Sequence, residues 1–149
     1  MNKVKIIVDS TVDLTEEIYK KYDIDVIPLN ICFGEETYQD GVNIDIKTMF
    51  EMVEKKKELP HTSACSPALI FEYFKKYINQ GMDIIFLGLS STLSTTFQNA
   101  FIAKSDFREN RIYLIDSRSL SSGTGLLVLK AARLVNEGKS AKEIAEEIE

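Results

Sequence analysis

The chain has 149 residues, 44% of them hydrophobic and 28% charged, with a formal net charge of −5. This is the size and balance of one soluble globular domain, which typically hides roughly 70% of its unfolded surface. The acidic balance, without any Lys/Arg run interleaved with aromatics, argues against a nucleic-acid partner. The single His61 and the isolated Cys32 and Cys65 argue against a zinc site. In chain order, Val4 to Val8 predicts a first strand ending at Asp9-Ser10-Thr11, and Asp13-Leu14-Thr15-Glu16 offers caps for a helix through Tyr22. Ile24 to Phe33 predicts a second strand in which Pro28 marks a bulge or an edge. Gly34 to Gly41 is rich in turn formers and predicts a small hairpin. From Ile46, the spacing of Met49, Phe50 and Val53 gives a helical apolar face that closes on Lys55-Lys56-Lys57.

Leu59-Pro60 stops that helix, and Ser66-Pro67 caps and starts the next. Its buried face is expected to hold Ile70, Phe71, Phe74, Tyr77 and Ile78, with Gly81 at its end. Ile84 to Leu89 is a third strand, followed by a helix carrying Phe97, Phe101 and Ile102. Arg111 to Ile115 is a fourth strand. A serine-rich turn, Ser119 to Gly125, then feeds a helix over Leu126 to Asn136 that Gly138 ends. Ser140 to Glu143 is a capping box for a last helix still running at Glu149. Alternating strands and helices predict an α/β domain, a mainly parallel sheet flanked by helices on both faces. Ligands of such sheets bind beyond the carboxyl ends of the strands. Those ends are expected at Asp9 to Thr11, Phe33-Gly34, Ser90 to Thr96 and Asp116 to Gly123, and three of the four are dense in Ser, Thr and Asp.

Two hydroxyl-rich segments precede helices: His61-Thr62-Ser63-Ala64-Cys65-Ser66-Pro67 and Ser90 to Thr96. Hydroxyls there can cap the helix, as Ser91 or Ser94 would, or join the free helix N–H groups in binding an oxyanion. Thr62, Ser63, Ser94 and Thr95 are the candidate donors. Neither segment holds a Lys or Arg, which favours a carboxylate over a phosphate dianion. A serine hydrolase using Ser94 or Ser91 with His61, oriented by Asp9 or Asp116, is the competing class. However, Gly88-Leu89-Ser90-Ser91-Thr92 lacks the second glycine of a nucleophile elbow. A phosphosugar-binding module is a third reading. Gly123-Thr124-Gly125 fits neither a dinucleotide fingerprint nor a Walker loop, and paired acids for a metal are not apparent near Asp40-Gly41. Cys65 reads as a buried, inert thiol. Isolated cysteines suit a cytoplasmic protein. Met1-Asn2-Lys3 leads straight into a strand, so no signal peptide is expected, and no apolar run approaches the ~20 residues of a membrane span.

Ile6 to Leu14 is similar to "IVTDSTADL", and Val26 to Asn30 with Phe33 to Gly41 resembles "VIPL…F-G-E…Y-x-D-G". Thr62 to Pro67 matches "TSQPSP" at four positions, Ser90 to Ala100 resembles "SSxLSGTYQSA", and Ile115-Asp116-Ser117 with Ser122 to Gly125 resembles "DS…S-x-G-x-G". In these blocks, taken in order, the chain resembles the DegV family. The resemblance implies a non-catalytic carrier of a long-chain fatty acid, without cofactor or metal. It presents the acid's carboxyl group to a separate fatty acid kinase. Thr62 and Ser94 fall on the positions that hold the carboxylate; Ser63, Thr95, Ser10, Ser122 and Gly123 are further candidates. Three departures stand out: Thr95 replaces a glycine, Ala64-Cys65 replaces Gln-Pro, and family members have roughly twice this length. The resemblance places all of residues 1–149 in the family's N-terminal domain, with the second α/β domain absent. One side of the present domain is then expected to be an exposed apolar face that favours self-association. Transient membrane contact during lipid exchange is also expected.

Overall fold

Strands buried on both faces set the architecture of the computed structural model, which describes residues 2–108 and 110–149. Strands Val4–Asp9 (β1), Ile24–Ile27 (β2), Asp83–Gly88 (β6) and Ile112–Asp116 (β7) form one parallel sheet in the order β2-β1-β6-β7. Side chains on a strand point alternately to opposite faces, so each inner strand supplies two cores. Ile6, Val8, Ile85, Leu87 and Ile115 face one side. There they pack against the helices Ser122–Asn136 (α5) and Ala141–Ile148 (α6), through Val128, Ala131, Ala132, Leu134 and Ile144. Ile7, Ile84, Phe86 and Ile112 face the other side, against the helices Pro67–Ile78 (α3) and Thr96–Ser105 (α4), through Ile70, Phe74, Tyr77, Ala100 and Ala103. The α/β class, the parallel sheet and its helical covering follow the sequence expectation.

The expected strand Ile24 to Phe33 is in fact two strands in two sheets. Pro28 has no N–H with which to continue the parallel ladder. Leu29 N donates instead to Ser10 Oγ at 3.1 Å, and Leu29 O accepts from Asp40 N at 2.9 Å. The chain therefore leaves the parallel sheet and enters a three-stranded antiparallel one. Its strands are Asn30–Phe33 (β3), Glu36–Gln39 (β4) and His61–Ser63 (β5), in the order β4-β3-β5. Of the hairpin expected over Gly34 to Gly41, the turn and β4 fall in that span, but its other strand is β3, which precedes it. β5 falls at the start of the hydroxyl-rich segment His61 to Pro67, where no strand is expected: its three residues are all exposed, so no apolar alternation betrays it. Phe33-Gly34 consequently lies outside the carboxyl edge of the parallel sheet, which ends at Ile27 on that side.

Helix Ile46–Lys56 (α2), capped by Asp45, covers the small sheet through Met49, Met52 and Val53 over Ile31, Phe33 and Ile44. Phe50, expected on its apolar face, is exposed, as is Ile46. On α4 the buried face is Thr96, Ala100 and Ala103, whereas Phe101 and Ile102 are exposed. Helix α5 begins four residues earlier than Leu126 and absorbs the Ser122 to Gly125 turn. The caps are otherwise as read: Thr15 on the short helix Glu16–Lys21 (α1), Ser66 with Pro67 on α3, and a full capping box from Ser140 and Glu143 on α6. No helix among the described residues is long and apolar enough to cross a membrane.

Candidate functional site

The carboxyl edge of the parallel sheet is tied together by two aspartates. Asp9, fully buried at the end of β1, accepts from Thr11 N at 3.0 Å and Thr11 Oγ1 at 2.6 Å through one oxygen. Its other oxygen accepts from Leu89 N at 2.8 Å, just past β6. Gly88 leaves room for the Phe86 ring, from which a Cβ there would lie 2.9 Å. Burial pushes the Asp9 carboxyl up, against the opposing pull of those hydrogen bonds. Asp116 ends β7 and accepts from Ser91 N at 3.1 Å, from Arg118 N at 3.0 Å and from the Ser91 hydroxyl. Burial pushes Asp116 up, but these bonds outweigh it and hold the carboxyl below the usual range. Ser90 N donates to Ser119 O at 2.9 Å, joining the two loops directly.

Several sequence candidates therefore serve the framework. Ser10 Oγ is occupied by Leu29 N. Gly123 packs closely against Ser119: a Cβ would sit 2.0 Å from Ser119 Oγ, which would have to rotate away. Ser63 Oγ accepts from Asn30 Nδ2 at 3.1 Å. Ser122 and Thr95 are exposed, and their hydroxyls bond no described residue.

The two principal candidates differ. Thr62 lies on β5 opposite Ile31, is exposed, and its hydroxyl has no hydrogen-bond partner among the described residues. Ser94 is half-buried, and its Oγ accepts from Thr96 N at 3.1 Å and donates to Thr96 Oγ1 at 3.0 Å. Thr95 is the formal N-cap of α4 but makes no capping bond, so Ser94 does part of that work one residue early. The segments carrying Thr62 and Ser94 meet where Asn99 Nδ2 on α4 donates to Cys65 O at 2.8 Å. Cys65 itself is buried. Its thiol donates to Pro28 O at 3.4 Å, and it is pushed up to about 12 by burial and the nearby Asp9 charge, despite a hydrogen bond from Thr96. Thr96 and Asn99 were not singled out in the sequence. A Thr and an Asn three residues apart on one helical face are the only trace they leave there.

The arrangement offers hydroxyl and amide donors, of which the Thr11 and Ser91 hydroxyls are held by the Asp9 and Asp116 carboxylates. His61 is exposed on β5 opposite Cys32 and bonds neither Ser91 nor Ser94. Ser91 is engaged by Asp116, and the thiol is protonated at neutral pH. Among the described residues no three His, Cys, Asp or Glu side chains are placed to hold a metal ion. Beside the hydroxyl edge runs a groove of about 530 Å³ whose apolar wall is Phe97, Phe101, Leu114, Leu127 and Ile148. A larger depression of about 980 Å³ lies at the opposite, amino ends of the strands and is lined by Lys3, Lys5, Lys21, Lys76 and Lys139. Lys5 there is buried and paired with Asp23 at 2.7 Å and Asp25 at 2.9 Å, so this end is an ion-paired base of the sheet remote from the hydroxyls.

Comparison with known proteins agrees with this geometry. A DegV domain-containing protein of Clostridium perfringens is 45% identical over 148 residues, which cover 99% of this chain and 53% of that one. The solved fatty acid binding protein DegV of Bacillus subtilis superposes with a TM-score of 0.89 at 31% identity, covering 99% of this chain and 53% of its own. A solved stearic-acid-binding protein of Eubacterium ventriosum gives 0.88 at 29% identity, over 99% and 52%. The chain spans about half the length of the curated relatives it matches. The family described as "Uncharacterised protein, DegV family" matches residues 3–149, nearly the whole of the sheet, its helices and both hydroxyl segments, and the chain belongs to that family.

Proposed function

We propose that these residues form one wall of a long-chain fatty acid site, with the Thr62 hydroxyl donating to the carboxylate and the Ser94 hydroxyl turning its single proton from Thr96 Oγ1 to it. The observation that carries this reading is the exposed Thr62 hydroxyl, without a partner among the described residues and three residues before the Cys65 carbonyl that Asn99 of α4 holds. A carboxylate leaving water needs donors, and the two hydroxyl segments, which hold no Lys or Arg, offer neutral ones. Thr95 and Ser122 are free to add donors; Ser63, Ser10 and Gly123 shape the surroundings. The binding of fatty acids by solved relatives supports the same ligand class.

The chain acts as a carrier, not a catalyst. It presents the carboxyl group to a separate fatty acid kinase in the cytoplasm and exchanges lipid in transient contact with membranes. The exposed Leu93, Phe101, Ile102, Leu120 and Leu126 around the hydroxyl edge are the surface through which the isolated domain self-associates and against which a second domain packs. The test is to extract the purified protein for lipid and identify it by mass spectrometry, while assaying chromogenic esters in parallel. Co-purified fatty acid without ester turnover is the expected result. Turnover that disappears in His61→Ala, or a thermal shift with phosphate esters and none with fatty acids, overturns it.

A further inference from the structure

The two head-group hydroxyls stand on separate units: Ser94 on the loop entering α4, Thr62 on an edge strand of the small sheet. That strand is three exposed residues long and is held on one side only, by β3, through the pairs Asn30–Ser63, Ile31–Thr62 and Cys32–His61. Such a strand is weakly specified by its own pairing. Something else must fix where Thr62 stands relative to Ser94.

We propose that Asn99 is the positioning residue of the head-group site, clamping the backbone after Thr62 onto α4 and thereby setting the Thr62–Ser94 spacing. Its amide donates to Cys65 O at 2.8 Å, three residues after Thr62. Thr96, one turn before Asn99, carries the two bonds to Ser94 Oγ and is fully buried. The buried Cys65 thiol donates to Pro28 O at 3.4 Å, which gives the clamp a second, weaker point of attachment. One helical face of α4 thus holds both hydroxyl segments: Thr96 holds Ser94, and Asn99 holds the Thr62 segment.

The inference deepens the fatty acid reading and rests on it, so the experiment reads the two separately. Asn99→Ala and Asn99→Asp of the 149-residue chain are compared with wild type by amide hydrogen exchange without ligand. Titration with stearic acid and with stearyl alcohol, which has the same tail and a neutral head, follows. Loss of the amide donor is expected to speed exchange across residues 61–65 while leaving β1 and β6 unchanged. Affinity for the acid is expected to fall about tenfold or more, with Asn99→Asp at least as severe because it sets a carboxylate against a carbonyl. Affinity for the alcohol is expected to change less than threefold. Unchanged exchange at residues 61–65 refutes the clamp. Equal losses for acid and alcohol reduce Asn99 to a general structural role and overturn the proposal. Wild-type protein that binds neither ligand overturns the fatty acid reading itself.

Discussion

Replacing Thr62 with valine and Ser94 with alanine should separate binding from capping. The Thr62 hydroxyl is exposed and bonds no described residue, and valine keeps the β-branched shape that suits a strand. Stability should therefore stay within about 0.5 kcal/mol of wild type, the usual span for an exposed surface change. Binding should suffer: one hydrogen bond to a charged group is worth about 1.5–3 kcal/mol, or about a 10- to 150-fold loss of affinity. Ser94→Ala removes the same kind of donor but also the acceptor for Thr96 N and the donor to Thr96 Oγ1. Losing such a cap costs about 1 kcal/mol, which for a chain of this length lowers Tm by about 2–4 °C. Isothermal titration with stearic acid and a thermal melt of each variant supply the two readouts. Thr62→Val that melts lower while binding normally would refute the assignment of a free donor. Ser94→Ala that binds normally with a lowered Tm would make Ser94 a helix cap and nothing more.

Three further outcomes follow from the geometry around the sheet edge. Asp116 is held below the usual carboxylate range, so its contribution to stability is present above the unfolded carboxyl pKa and lost as pH falls through the lower folded value; Asp116→Asn should flatten that acid limb in urea titrations. Gly123→Ala should cost about 1 kcal/mol, near the low end for overpacking because the Ser119 hydroxyl can rotate away, and Ser119→Ala should restore most of it in a denaturation curve. Cys65, pushed up to about 12 and buried, should resist a thiol reagent in the native protein at pH 8 and react once unfolded; rapid native labelling mapped to Cys65 by mass spectrometry would contradict its buried placement.

Strands β1, β6 and β7 were legible because each is a short, nearly unbroken apolar run serving two cores. The caps at Thr15, Ser66 and Ser140 were legible because capping depends on local chemistry alone. The run from Ile24 to Phe33 misled for the same reason that β1 did not. Apolar periodicity records burial and not the sheet in which a residue is buried, and the decisive bonds at Leu29 come from Ser10 and Asp40, both distant in sequence. Phe50, Phe101 and Ile102 were read as inward-facing or left unplaced by a pattern that cannot count how many faces of a helix the rest of the fold will cover. At the site, the motif positions Thr62 and Ser94 were nameable. The engagement of Ser94 with Thr96, the freedom of Thr62 and the reach of Asn99 to Cys65 O were not, since a side chain bonding a backbone carbonyl 34 residues away leaves no periodic signature.

The route from Pro28 to Cys65 closes on itself. The Cys65 thiol meets Pro28 O at 3.4 Å, so everything between them, the antiparallel sheet and α2, is an excursion whose two ends touch. Its own core is only Ile31, Phe33 and Ile44 with partly buried neighbours, and α2 has no fully buried residue. A unit with a pinched neck and a thin interior can open locally without pulling on the parallel sheet, at a free energy well below that of global unfolding. Thr62 rides on that unit, so a ligand held there binds only its closed form. Ligand affinity and local opening are then thermodynamically linked. Each factor by which ligand concentration exceeds its dissociation constant is returned as protection of the excursion, and a substitution anywhere in it that favours opening lowers the apparent affinity without touching the site.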